Sequence, residues 1–114
     1  MNKANFLEHV RDIDLMIQWY SMGAHSGNAD ALYALGVCHE IGRGVEKSLQ
    51  KAFDYYTEAA AKDHPDALFA LSEMYEKGIC VKKSPEKAKE LLERAAELGQ
   101  EDAVARLAPE EEGG

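Results

Sequence analysis

The feature that most constrains this chain is that it repeats itself every 36 residues. Ala31–Asp66 laid over Ala67–Asp102 gives 14 identities in 36 positions. The identities fall in blocks. Ala31, Leu32, Ala34 and Leu35 return as Ala67, Leu68, Ala70 and Leu71; Gly42 and Val45 return as Gly78 and Val81; Lys51, Ala52, Ala59 and Ala60 return as Lys87, Ala88, Ala95 and Ala96. A period of this length is the mark of a stacked array of identical supersecondary units. The register extends upstream, where Trp19-Tyr20 fall on Tyr55-Tyr56, and downstream, where Ala103–Ala108 fall on Ala31–Gly36. The chain therefore reads as one domain over 1–108: a half repeat at 12–30, whole repeats at 31–66 and 67–102, and the start of a last helix at 103–108. Residues 1–11 lie outside the register. Phe6, Leu7 and Val10 are spaced like one helix face, which predicts an N-terminal cap.

Each unit predicts two antiparallel helices, a front and a back one. Asp30, Asp66 and Asp102 are expected to cap the front helices, and Asp12, Ser48 and Ser84 the back helices, because their oxygens can accept from the free N–H groups of a first turn. Gly42 and Gly78 are expected to end front helices, and Gly27 and Gly99 back helices. Alanine and glycine at the crossing points let axes approach closely, with an aromatic filling the remaining gap. One hairpin cannot bury its apolar faces alone, but a stack can, so the expected fold is an all-α solenoid of helical hairpins. At Cys80 the second unit lacks the glycine that the first has at Gly44. Either the loop differs in shape there, or a cysteine is held in a left-handed conformation at a cost of about 1 kcal/mol.

The pattern of alanine, leucine-glycine, the glycine loop, lysine-alanine, an aromatic pair and paired alanines resembles the Sel-1-like repeat family, relatives of the tetratricopeptide repeats. Unit one carries Ala31, Leu35, Gly36, Gly42, Gly44, Val45, Lys51, Ala52, Tyr55, Tyr56, Ala59 and Ala60. Departures are His39 for a tyrosine, Ser72 for a glycine, and Leu91-Leu92 for the aromatic pair. The resemblance implies a scaffold for protein recognition and no enzyme.

The residues agree with that implication. Gly23–Gly27 has its serine one position late for a hydrolase elbow and no preceding strand. No phosphate loop or dinucleotide fingerprint occurs. Cys38 and His39 are adjacent and so diverge on a helix, and no C-x-x-C or H-x-x-x-H pair exists; no metal or cofactor is expected. His39 is read as filling a tyrosine slot. Two cysteines are too few for a disulfide framework, and both are read as reduced.

A net charge of −8 argues against nucleic acid and against an anionic membrane. There is no apolar run long enough to span a bilayer. Glu8, Arg11, Asp12 and Asp14 interrupt the stretch where a signal peptide would be apolar. The expected location is cytoplasmic. The tail at 109–114, with Glu110–Glu112, is read as solvated and flexible.

By analogy with the tetratricopeptide relatives, the front helices line a concave face presenting Asp30, Tyr33, Val37, Glu40 and Ile41, then Phe69, Glu73, Glu76 and Lys77, with Arg106 beyond. Ala31 and Leu35 are needed for packing, which independently leaves Tyr33, Val37 and Glu40 on another face. Tyr33 and Phe69 either anchor a ligand or pack between adjacent helices. Helices 8–10 Å apart give a face on the order of 25 Å long, room for roughly six to eight extended residues. The expected partner is a protein or peptide with an apolar anchor and Lys or Arg. The alternatives are a small immunity or antagonist protein masking a basic partner, and a homodimer formed through the solenoid ends.

Overall fold

The computed structural model describes residues 3–108, with side chains from residue 10 onward. Six helices run in chain order: α1 Lys3–His25, α2 Ala29–Ile41, α3 Leu49–Ala60, α4 Pro65–Lys77, α5 Pro85–Glu97 and α6 Glu101–Leu107. Among the described residues there is no strand. α2 with α3 and α4 with α5 are hairpins, and each hairpin's internal interface is more extensive than its contact with the next. The array is elongated, 56 × 33 × 24 Å. No described helix is long and apolar enough to cross a membrane.

The core repeats as the sequence does. Leu32 of α2, Ala59 of α3 and Ala67 of α4 form one buried cluster. Leu68 of α4, Ala95 of α5 and Ala103 of α6 form the same cluster one unit on. In each, a front-helix leucine is closed over by an alanine of its own back helix and an alanine of the next front helix. Between them lies a larger cluster of Ala52, Tyr56, Leu71 and Met74. Leu32, Leu35, Leu68 and Leu71 are each at most 4 % exposed, and full burial of such a side chain stabilises by about 1.5–3 kcal/mol. Gly36 has no alternative at its crossing, since a Cβ there would stand 2.5 Å from the Tyr56 ring.

Most expected helix ends are found. The Ser48 and Ser84 hydroxyls accept from the amides of Lys51 and Lys87, each at 3.1 Å. Gly42 and Gly78 end α2 and α4 at φ +73° and +71°. The front-helix caps differ from expectation. They are Asn28, His64 and Gln100, two residues ahead of Asp30, Asp66 and Asp102. The aspartates sit inside the first turn, where their charge complements the helix dipole without capping it. Asp12 starts no helix, because α1 runs through it from Lys3. The predicted acidic tail, and the Phe6 and Leu7 side chains of the predicted cap, lie outside the described residues.

Candidate protein-interaction groove

The helix periodicity that buries Ala31 and Leu35 turns Tyr33, Val37, Glu40 and Ile41 of α2 toward a groove shared with α4. Asp66, Phe69, Ala70 and Glu73 form its other wall, Tyr56 of α3 its floor, and Gln100 and Asp102 at the start of α6 its far end. Its volume is about 400 Å3. Six of the nine expected positions thus come together: Tyr33, Val37, Glu40, Ile41, Phe69 and Glu73. Asp30 is exposed one turn before Tyr33, while Glu76 and Lys77 are exposed beyond Glu73; none of these three lines the groove.

The two aromatics expected as anchors are held by the fold. Tyr33 stacks on His64, with ring centroids 4.8 Å apart, and tilts against Tyr56 at 5.6 Å. The Arg106 guanidinium lies 4.8 Å above the Phe69 ring. Both rings are half-buried, so they are part of the groove wall as well as of the packing between helices. The exposed apolar side chain on the lining is Ile41, at 60 %.

Cross-unit hydrogen bonds fix the walls. The His64 ring accepts from the Ala67 amide through Nδ1 at 3.2 Å, which leaves the proton on Nε2 to be donated to Asp30 Oδ1 at 2.8 Å. One unit on, Gln100 Oε1 accepts from the Ala103 amide at 2.7 Å and Gln100 Nε2 donates to Asp66 Oδ1 at 3.1 Å. Each cap residue therefore ties its own helix to the preceding front helix. Arg106 adds a third tie, donating to Glu73 at 3.1 Å. The Tyr56 hydroxyl donates to Glu40 at 2.5 Å.

Four carboxylates, Glu40, Asp66, Glu73 and Asp102, line the groove. Burial pushes the Tyr33 hydroxyl above the ordinary tyrosine range, with Asp66 and Glu40 adding to the effect. Burial does the same to Tyr56, reinforced by its bond to Glu40. Both effects favour the neutral phenols, and of the four carboxylates Glu73 is paired with Arg106. Among the described residues no cluster of three His, Cys, Asp or Glu side chains could hold a metal ion. Cys38 is buried and Cys80 exposed, and both are free.

Sequence reasoning missed Tyr56, Asp66, Ala70, Gln100 and Asp102 as lining residues. The sequence shows Tyr56 only as half of the aromatic pair of the repeat, and the aspartates read as caps. The signal was present in the polar series Asn28, His64 and Gln100, spaced at the repeat length.

Comparison with known proteins agrees with this architecture. The Sel1 repeat family matches residues 29–64 and 65–100. A Sel1 repeat protein from Oxalobacter formigenes is 42 % identical, with a TM-score of 0.76, over 80 % of this chain and 68 % of that one. A protective antigen of uropathogenic Escherichia coli with an SLR fold is 28 % identical, with a TM-score of 0.78, over 85 % of this chain and 21 % of that one. Cysteine-rich protein B of Helicobacter pylori is 25 % identical, with a TM-score of 0.74, over 92 % and 93 %. No curated protein sequence matches.

Proposed function

The chain belongs to the Sel1 repeat family, and on that premise we propose that it is a non-catalytic adaptor whose groove holds a short segment of a protein partner. Sel1 repeat proteins are in general interaction modules without catalytic activity. The segment carries an apolar residue flanked by Lys or Arg. One observation carries this reading: four carboxylates converge on a concavity that also offers an exposed isoleucine. An apolar anchor on Ile41 and Val37 supplies desolvation energy, and neighbouring cations meet Asp66, Asp102, Glu40 and Glu73. A groove between two helices suits an extended or helical peptide better than the flat face of a folded toxin, which favours peptide capture over masking of a basic protein.

The test is selection from a displayed library of random peptides about eight residues long, matching the span of three front helices. Selected peptides should pair an aliphatic or aromatic residue with Lys or Arg. The double substitution Ile41→Asp with Glu73→Gln should weaken a selected peptide at least tenfold, a loss of about 1.4 kcal/mol. Glu76→Gln, outside the lining, should leave it within twofold, about 0.4 kcal/mol. Peptides without cations, or equal losses in the two variants, would reject the groove.

A further inference from the structure

We infer that the two ends of the solenoid fit each other, so that the C-terminal end of one copy seats α1 of a second copy, head to tail. This rests on the repeat geometry and not on the peptide groove.

At the C-terminal end, Val104 and Leu107 occupy the positions of Leu68 and Leu71 one unit earlier, and of Leu32 and Leu35 two units earlier. Those four leucines are at most 4 % exposed, whereas Val104 is 46 % and Leu107 39 % exposed. Beneath them lies an open hollow of about 570 Å3 walled by Glu93, Ala96, Glu97, Val104, Leu107 and Ala108. The equivalent space one unit earlier is filled by α5: Ala95 closes over Leu68, and Leu91 packs on the cluster containing Leu71. The hollow is therefore the seat of a back helix.

At the N-terminal end, α1 is a back helix, and among the described residues it has no front helix of its own. Trp19 stands at the position of Tyr55, which stacks on His39 of its front helix at 5.5 Å. Trp19 is 71 % exposed. Two of the interior clusters each combine a front leucine, a small residue of the back helix and an alanine of the next front helix. Gly23 and Ala31 are the second and third members of such a set, packed so that a Cβ on Gly23 would lie 2.7 Å from the Ala31 Cβ. Among the described residues that set has no front member. At the other end Val104 is a front residue for which the described residues supply neither of the other two. Seating α1 of a second copy in the hollow completes the set as Val104 with the second copy's Gly23 and Ala31, and places its Trp19 on Leu107 as Leu91 lies near Leu71. The contact continues an interface that the chain already makes within its α4–α5 hairpin. Such a heterologous contact leaves one free end at each terminus and produces open chains.

A two-fold pairing of α1 with α1 is the competing arrangement, through the exposed stripe Leu15, Trp19 and Met22. Sedimentation of full-length protein separates the two. It is run up to about 0.2 mM, where a contact worth roughly 5 kcal/mol is populated, in about 0.5 M salt to screen the acidic rims. Wild-type chains should lengthen with concentration, with a blue shift in the emission of the single tryptophan as it leaves water. Trp19→Gln and Leu107→Glu should each be monomeric, and an equal mixture of the two should form dimers and nothing larger, since each retains one intact end. Far-ultraviolet circular dichroism checks folding, and Val104→Glu replaces Leu107→Glu if that variant loses helix. Wild-type protein that stays monomeric overturns the proposal. So does a Leu107→Glu variant that associates with itself, or a mixture that does not pair.

Discussion

Cys80 holds a φ of +64°, and Gly44, 36 residues earlier, one of +76°. The loop has kept its shape, and the cysteine bears the left-handed strain. Replacing Cys80 with glycine should stabilise the protein by about 1 kcal/mol, less the extra freedom that glycine gives the unfolded chain. The reverse change, Gly44→Ala, should destabilise by about 1–3 kcal/mol, because its Cβ would meet Ile13 and Ile17 at 2.7 Å. Urea denaturation of the two variants should give shifts of opposite sign; shifts of the same sign would show that the left-handed backbone at Cys80 carries no net cost. The other departures compensate in pairs by register. Gly36 leaves room for the Tyr56 ring, while Ser72 stands at the glycine position opposite the shorter Leu92. The repeat was legible from single residues, but this compensation was not, since it exists only across two helices. His39 did read correctly, as an aromatic stand-in: it is 8 % exposed and stacked on Tyr55.

Helices could be placed from the 36-residue register because small and large apolar residues recur on one face of each. Their front N-termini were misplaced by two residues because aspartate outranks histidine and glutamine as a cap. What decides the matter is tertiary: a cap residue that also reaches Asp30 or Asp66 of the preceding front helix joins two units, which isolated propensity cannot express. His64→Ala should therefore cost more than an ordinary cap, above about 1 kcal/mol. His64→Asn should recover the cap, as Asn28 provides at α2, but not the stack on Tyr33. If asparagine restored full thermal stability, the bridge to Asp30 and the stack would contribute nothing. The α2–α3 pair also makes an alkaline prediction. Tyr56 and Tyr33 are held above the usual tyrosine range by burial and by carboxylates, so the folded state keeps protons that the unfolded state releases. Their contribution is complete below about pH 10, the unfolded tyrosine value, and is lost as pH rises through the elevated folded values. Stability measured by urea should fall above about pH 10, and more gently in Tyr56→Phe.

At the scale of the molecule, the array behaves as a row of units that each contact their neighbours alone. Leu32 and Leu68 are each closed by alanines of the next two helices, so every unit advances the stack by the same step and the array is elongated, 56 Å long. The groove was legible only in part for the same reason. Side chains on one helix could be assigned to a face, but Tyr56, Gln100 and Asp102 enter from other elements, and their arrival depends on how far each unit advances. If stability is a sum of unit and interface terms, a duplicate of residues 65–100 inserted after Gln100 should lengthen the array without disturbing it. The insert brings its own Leu68, Ala95 and capping Gln100, so it forms one further interface of the kind already present twice. Thermal denaturation should then show a higher midpoint, and guanidinium a steeper dependence, because more surface is exposed in one transition. An unchanged midpoint, or two separate transitions, would mean that the hairpins stand independently and that the clusters between them carry little of the fold's stability.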